Sequence, residues 1–477
     1  MIAASSAVSG TVKWAQIDVG AAAEDLDHLI TRRSDTRSPW PADDAAVTGA
    51  AILLAVFVGY ALTASRLERA WISAPIVFVA TGFLLGPAVL GLVVPGGENE
   101  SLLHLTELTL AILLFADAAT VRLDRLREDA AMPGRLLGIG LPLTMALGAA
   151  LAAPILGVPW PVAALVATIL APTDAALGLA VVTDKAVPVR IRRTLNVESG
   201  LNDGIATPFV TLLLSIVAAE EHVQSGSWAV GAALELGLAL VAAAVVGGGG
   251  GVAFAAARRR GWMTPISEEV GGLSLALLSY TGAVAIGGNG FVAAFAGGLL
   301  FAAFSRSRDA EPRGAMETET REAVEFTETV GLFASFIVWV IFGSLFVGPV
   351  LTQVPETNAV VYAALSLTLI RLIPVALALV GTHLRPDTVA FIGWFGPRGL
   401  ASVVFSLIAV EELAGTPVAE PLLEVVTLTI LGSVVLHGIT AKPLAAFYGR
   451  RVSADPSAVE LAKVSEPRVR KKALAGW

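Results

Sequence analysis

The feature that most restricts how this chain can fold is a succession of apolar runs near twenty residues long, repeated along most of its 477 residues. A hydrocarbon core roughly 30 Å thick needs a helix of that length to cross it. Lipid offers the backbone no hydrogen-bond partners, so only helices and closed barrels survive there. Barrel strands alternate apolar and polar residues over about ten positions, and these runs do not. They predict an all-α, polytopic membrane protein. Composition agrees: 15% of the residues are charged, against about 25% in an ordinary soluble domain.

The spans are predicted at residues 46–65, 73–94, 102–121, 136–157, 160–183, 194–219, 229–257, 266–287, 289–304, 325–348, 357–381, 387–410 and 421–447, about thirteen in all. Residues 1–44 read as a polar N-terminal extension with a short amphipathic helix near 12–29. Residues 45–449 form the transmembrane unit and 450–477 a short basic tail. The extension is not a signal peptide, because no basic stretch precedes an apolar one. Lys and Arg should collect on the cytoplasmic side. Of the 32 in the chain, eighteen fall in the loops after odd-numbered spans and none in the loops after even-numbered ones. This alternation puts the N-terminus outside, and the tail in the cytoplasm beneath the cell membrane.

Several function classes drop out. The net charge of −8 speaks against a nucleic-acid partner, and the absence of Cys removes thiol chemistry and Cys-held metals. Five scattered His residues form no zinc-protease spacing. An intramembrane hydrolase using Ser199 would need a membrane-embedded base, and no motif positions one. No enzyme and no cofactor are expected.

Only three basic residues remain inside the spans: Lys442, Arg371 and Arg398. Lys442 is close enough to a span end to snorkel. Arg371 and Arg398 lie mid-span, where an Arg costs about 2.5–3.5 kcal/mol on insertion scales. The deep acids are Asp174, Glu198 and Asp203, with Asp117 and Glu235 nearer the ends. Charge at that depth marks an ion pathway or a pairing partner. Asp174 follows Ala171-Pro172-Thr173, and Pro172 should unwind span 5 there. Span 12 carries the second break, Gly396-Pro397-Arg398-Gly399. Spans 5 and 12 are an odd number apart and run in opposite directions. Paired breaks of this kind point to inverted repeats, with two discontinuous helices crossing at a mid-membrane site.

Span 6 opens Glu198-Ser199-Gly200-Leu201-Asn202-Asp203. Helical spacing stacks Glu198 over Asn202 and Ser199 over Asp203. One stripe thus offers two carboxylates, an amide and a hydroxyl, hard oxygen ligands suited to an alkali cation. Gly200, Gly204 and Ala206 should let a neighbouring helix approach it. Glu198 reads as the partner of a buried Arg, either Arg371 or Arg398. Asp203 reads as the exchanging acid. Asp117 reads equally well as an interfacial anchor or a site residue. His437 reads as hydrogen-bonded packing, and Gly247–Gly251 as a helix-packing face or a flexible stretch.

Thr173-Asp174, then Glu198-Ser199 and Asn202-Asp203, then Gly396-Pro397-Arg398-Gly399 resemble, in order and spacing, the NhaP-type cation:proton antiporters, prokaryotic relatives of the animal Na+/H+ exchangers. The resemblance covers about residues 45–450. It implies thirteen helices, with a core around spans 3–6 and 10–13, a dimerisation domain and a homodimer. It implies that Asp203 carries the cation and the proton in turn, and that Asn202 marks the electroneutral branch. Ser199 and Thr173 would add oxygens for Na+, Asp174 would ligate indirectly or shape the crossing, and Glu198 would pair with Arg371. Asp117 falls where relatives often hold Glu near the ion. Relatives commonly have Pro after the Thr-Asp pair; this chain has Ala175 there and Pro172 before it, which shifts the expected unwinding. The expected activity is exchange of one Na+ or Li+ for one H+. The alternatives are K+/H+ exchange on the same scaffold and, more distantly, a cation channel.

Overall fold

The computed structural model of the chain describes residues 42–92, 99–121, 131–174, 176–221, 228–305, 315–455 and 457–461. The N-terminal extension with its amphipathic helix, the arginines in 122–130 and 306–314, Ala175 and the tail beyond 461 lie outside the described residues. Among the described residues the structure is helical, without strands, and every predicted span overlaps a helix.

The helices are α1 (Ala42–Arg69), α2 (Ala74–Leu85), α3 (Asn99–Thr120) and α4 (Ala131–Leu156). Span 5 gives α5 (Trp160–Ile169) and the short α6 (Leu179–Val182), followed by α7 (Val189–Glu221). Next come α8 (Val230–Arg259), α9 (Pro265–Ala285), α10 (Gly290–Phe304) and α11 (Val324–Thr352). Span 11 gives α12 (Thr357–Leu367) and α13 (Leu369–Ala378), and span 12 gives α14 (Pro386–Trp394) and α15 (Leu400–Glu412). The last is α16 (Ala419–Ser453).

Among the described residues, eight stretches are long and apolar enough to cross a membrane, and α2, α5 and α10 are shorter apolar helices. The chain is a multi-pass membrane protein. Helix α1 is the least buried of the long helices and α11 the most, so α1 lies at the periphery of the helix bundle.

Helices in lipid gain little from apolar contact and associate where small residues let backbones meet. Gly82 of α2 and Gly343 of α11 show this. A Cβ at Gly82 would collide with Val340 O, and one at Gly343 with Val79 O. Gly247 sits against the backbone of Gly297, and Gly298 against Phe115 O. The glycine run of α8 is therefore a packing face against α10, not a flexible stretch. Helix α7 begins five residues before its predicted start, so Arg190, Arg192 and Arg193 occupy its first turns. Pro188 accounts for this: it opens the helix, with its carbonyl accepting from the amides of Ile191 and Arg192.

Candidate ion-binding site

Both predicted breaks are present, and they meet. Helix α5 stops at Ile169 and α6 starts at Leu179; α14 stops at Trp394 and α15 starts at Leu400. The Asp174 amide donates to Pro397 O at 2.7 Å, which ties one unwound stretch to the other. A broken helix leaves bare carbonyls on one side and bare amides on the other, and in lipid each must find a partner.

Asp174 serves the amides. Its Oδ1 accepts from Ala176 N (2.6 Å) and Leu177 N (3.2 Å), and its Oδ2 accepts from Leu400 N (2.9 Å). One carboxylate thus caps the restart of its own helix and the first residue of α15. Arg398 serves the carbonyls. Its Nη1 donates to Ala171 O (2.8 Å) and Pro172 O (3.4 Å), and its Nη2 to Ser366 O (3.3 Å). Ser402 donates to Ile169 O at 2.6 Å. Negative charge therefore sits at helix N-termini and positive charge at C-terminal carbonyls, the favourable arrangement for both dipoles.

These contacts answer the question of partnership. Arg371 Nη2 lies 2.6 Å from Glu198 Oε1, both side chains almost fully buried, while Arg398 faces the carbonyls. Arg371 approaches because residue 396 is glycine: a Cβ there would stand 2.5 Å from Arg371 Nε and 3.0 Å from Thr173 Cγ2.

Beside the crossing runs a chain of oxygens. Asn202 Nδ2 donates to Thr173 Oγ1 at 2.6 Å, and Thr173 Oγ1 lies 3.0 Å from Ser199 Oγ. Asn202, Thr173 and Ser199 are buried; Asp203, one residue on, is half-buried. Asn202 Oδ1 is buried without a hydrogen-bond partner, as is Glu198 Oε2. A buried carbonyl oxygen left unpaired costs about 1–3 kcal/mol, and a cation is one occupant that would relieve it. Asp117, on α3, is half-buried. Of the small residues expected to admit a neighbour, Gly204 does so, with the Phe295 ring of α10 seated on it. Gly200 faces open space.

Sequence reading missed the serines and carbonyls that complete the crossing, Ser402, Ser433 and Ser366 O, because an isolated Ser in an apolar run carries no signal. Asp174 is expected from the resemblance to ligate indirectly or to shape the crossing; both of its oxygens accept from amides there, which fits the second of these.

With this geometry in view, the relatives are informative. The transmembrane model of the sodium/hydrogen exchanger family matches residues 52–447. The chain belongs to the sodium/hydrogen exchanger family. Among curated relatives, the Na(+)/H(+) antiporter NhaS2 of Synechocystis is 31% identical over 146 residues, covering 30% of this chain and 26% of the relative. The K(+)/H(+) antiporter NhaP of Alkalimonas amylolytica is 24% identical over 381 residues, 78% of this chain and 62% of the relative. This exchanger-family chain thus spans between about a quarter and three fifths of the curated relatives it matches. The solved structure of the sodium proton antiporter MjNhaP1 of Methanocaldococcus jannaschii at pH 8 shares the fold. It has a TM-score of 0.69 at 21% identity, covering 84% of this chain and 98% of that one.

The crossing yields one expectation for a family member of this build. A Cβ on Gly399 would collide with the Asp174 carboxylate. Gly399→Ala should cost about 1–3 kcal/mol by overpacking and pull the cap away from Leu400. We expect a clearly lower melting midpoint in detergent. A wild-type midpoint for this variant would show that the Asp174 cap does not depend on the close approach of Gly399.

Proposed function

We propose that this protein is a secondary antiporter exchanging one monovalent cation, Na+ or Li+, for one proton across a cell membrane. The observation that carries the reading is the oxygen chain at the crossing, with the unpaired Asn202 Oδ1 next to Asp203. Asp203 holds the cation when deprotonated, with Ser199 and Thr173 oxygens completing the cage, and a proton displaces it on the other side. Asn202 is neutral, so one carboxylate alternates between one cation and one proton and the loaded carrier crosses uncharged. Asp117 is proposed as an outer contact of the same site. Glu198 and Arg371 neutralise each other and give the core a rigid seam. The core, built from the helices of spans 3–6 and 10–13, moves against the remaining helices, which pair two copies into a homodimer. The basic loops and the tail face the cytoplasm. The cargo is ion and proton alone, with no cofactor.

Proteoliposomes test the stoichiometry. An imposed membrane potential should leave the exchange rate unchanged, and potential-driven accumulation of the cation would overturn one-for-one exchange. A K+/H+ reading has support of its own, since two curated relatives are named K(+)/H(+) antiporters. Scanning Na+, Li+ and K+ over pH in everted vesicles separates the two. Half-saturation by Na+ or Li+ well below that for K+ is expected, and the reverse order assigns K+.

A further inference from the structure

In an unbroken helix the amide of residue 398 would donate to the carbonyl of residue 394. Here that bond is absent, and a second helix fills the gap. The Arg398 amide donates to Ser433 Oγ of α16 at 2.6 Å. Ser433 Oγ lies 3.2 Å from His437 Nδ1, and His437 Nε2 lies 2.9 Å from Trp394 O. Ser433 and His437 are one turn apart on α16, and both are buried. The route from Arg398 N to Trp394 O therefore runs through one hydroxyl and one imidazole.

We propose that Ser433 and His437 are positioning residues, inserted into the hydrogen-bond ladder of the broken span 12 in place of its missing helical bond. The inference rests on the antiporter reading given above.

The partners around the ring place a hydrogen on Nε2. Trp394 O accepts from Gly396 N at 2.9 Å, closing a tight turn at Phe395 (φ −83°, ψ 63°). Its second lone pair faces His437 Nε2, which must therefore carry a hydrogen. The Ser433 hydroxyl accepts from Arg398. His437 Nδ1 lies 3.2 Å from that hydroxyl and 2.9 Å from Ser433 O, and either contact closes the ring onto Ser433. The tautomer is assigned from these partners.

The bridge does not stand alone. Trp394 Nε1 donates to Thr440 Oγ1 at 3.0 Å, and the Trp394 and His437 rings lie 5.4 Å apart. Residues 433, 437 and 440 form one stripe of α16, and all three grip the 394–398 stretch. What they grip is the piece that sets the ion site. Pro397 O receives the Asp174 amide, and the Arg398 guanidinium holds Ala171 O. Thr173 lies between those two anchors and carries the hydroxyl bonded to Asn202 and Ser199. A slack bridge therefore displaces Thr173 relative to Asp203. Partners one step removed from an ion's ligands typically change its affinity by about 10- to 100-fold.

The experiment is exchange kinetics in proteoliposomes with wild type, His437→Gln, His437→Asn, His437→Leu, Ser433→Ala and Ser433→Thr. Gln places its amide nitrogen where Nε2 stands and keeps the bond to Trp394 O; Asn is too short to reach it. His437→Leu and Ser433→Ala should raise the cation KM by about 10- to 100-fold, with a much smaller change in maximal rate. His437→Gln and Ser433→Thr should bring KM back toward wild type, and His437→Asn should not. A packing role would lower the melting midpoint while leaving KM unmoved; that result overturns the proposal. So does equal behaviour of the Gln and Asn variants, which also decides the matter if His437→Leu fails to fold. Wild type inert toward Na+, Li+ and K+ would instead overturn the antiporter reading. The bridge would then be judged by a double-mutant cycle on melting midpoints of Ser433→Ala and His437→Leu: coupling supports it and additivity overturns it.

Discussion

Asp203→Asn is expected to abolish cation/proton exchange while leaving the protein folded. The substitution keeps the shape of the side chain and removes its charge and its titration. A bare cation about 2.4 Å from a carboxylate oxygen gains roughly 7 kcal/mol at an effective dielectric constant of about 20. Losing even half of that weakens binding by more than about a hundredfold. The proton limb fails as well, because an amide does not ionise at neutral pH. The fold should tolerate the change: Asp203 is half-buried, and the caps that hold the breaks come from Asp174 and Arg398. The check is dequenching in everted vesicles alongside the melting midpoint in detergent. Asp203→Glu should keep residual exchange at altered affinity, since charge is preserved and reach changes by one methylene. Near-wild-type exchange by the Asn variant, at any pH, would remove Asp203 from the mechanism.

The sequence told us most where lipid leaves no choice. Each apolar run became helix because nothing else satisfies its backbone, and both breaks lie where Pro172 and Pro397 withdraw a donor. Charge accounting also located the two stranded arginines. It could not divide their duties, because helical period fixes which face of its own helix a residue occupies but not how that helix is rotated against its neighbours. The structure resolves this by backbone proximity: Gly396 brings Arg371 to Glu198, and the bare carbonyls of span 5 claim Arg398. The same blindness hid Ser433 and Ser402. Their role depends on facing a break in another helix, and a hydroxyl in an apolar run looks the same whether it bonds its own turn or repairs a neighbour's. His437 read as packing for that reason; its two ring nitrogens acquire meaning only once Trp394 O and Arg398 N are seen to lack each other.

Separating Glu198 from Arg371 should destabilise this protein strongly. Their 2.6 Å contact joins α7 to α13 with both groups almost fully buried. Removing one partner of such a pair leaves the other charge stranded, at a cost of about 3–5 kcal/mol. Arg371→Met and Glu198→Gln should therefore each lower the melting midpoint sharply, because each strands a buried charge whose remaining polar atoms, Glu198 Oε2 or Arg371 Nε, have no hydrogen-bond partner. Replacing both together removes the charge and its desolvation cost at once, so the double variant should melt well above either single one. Exchange separates structure from chemistry in this set. If the pair is only a seam, the double variant should recover transport along with stability. If Glu198 Oε2 contributes to the cation's surroundings, stability should return while affinity does not. Single variants as stable as wild type would show that the two charges are not held together in the membrane.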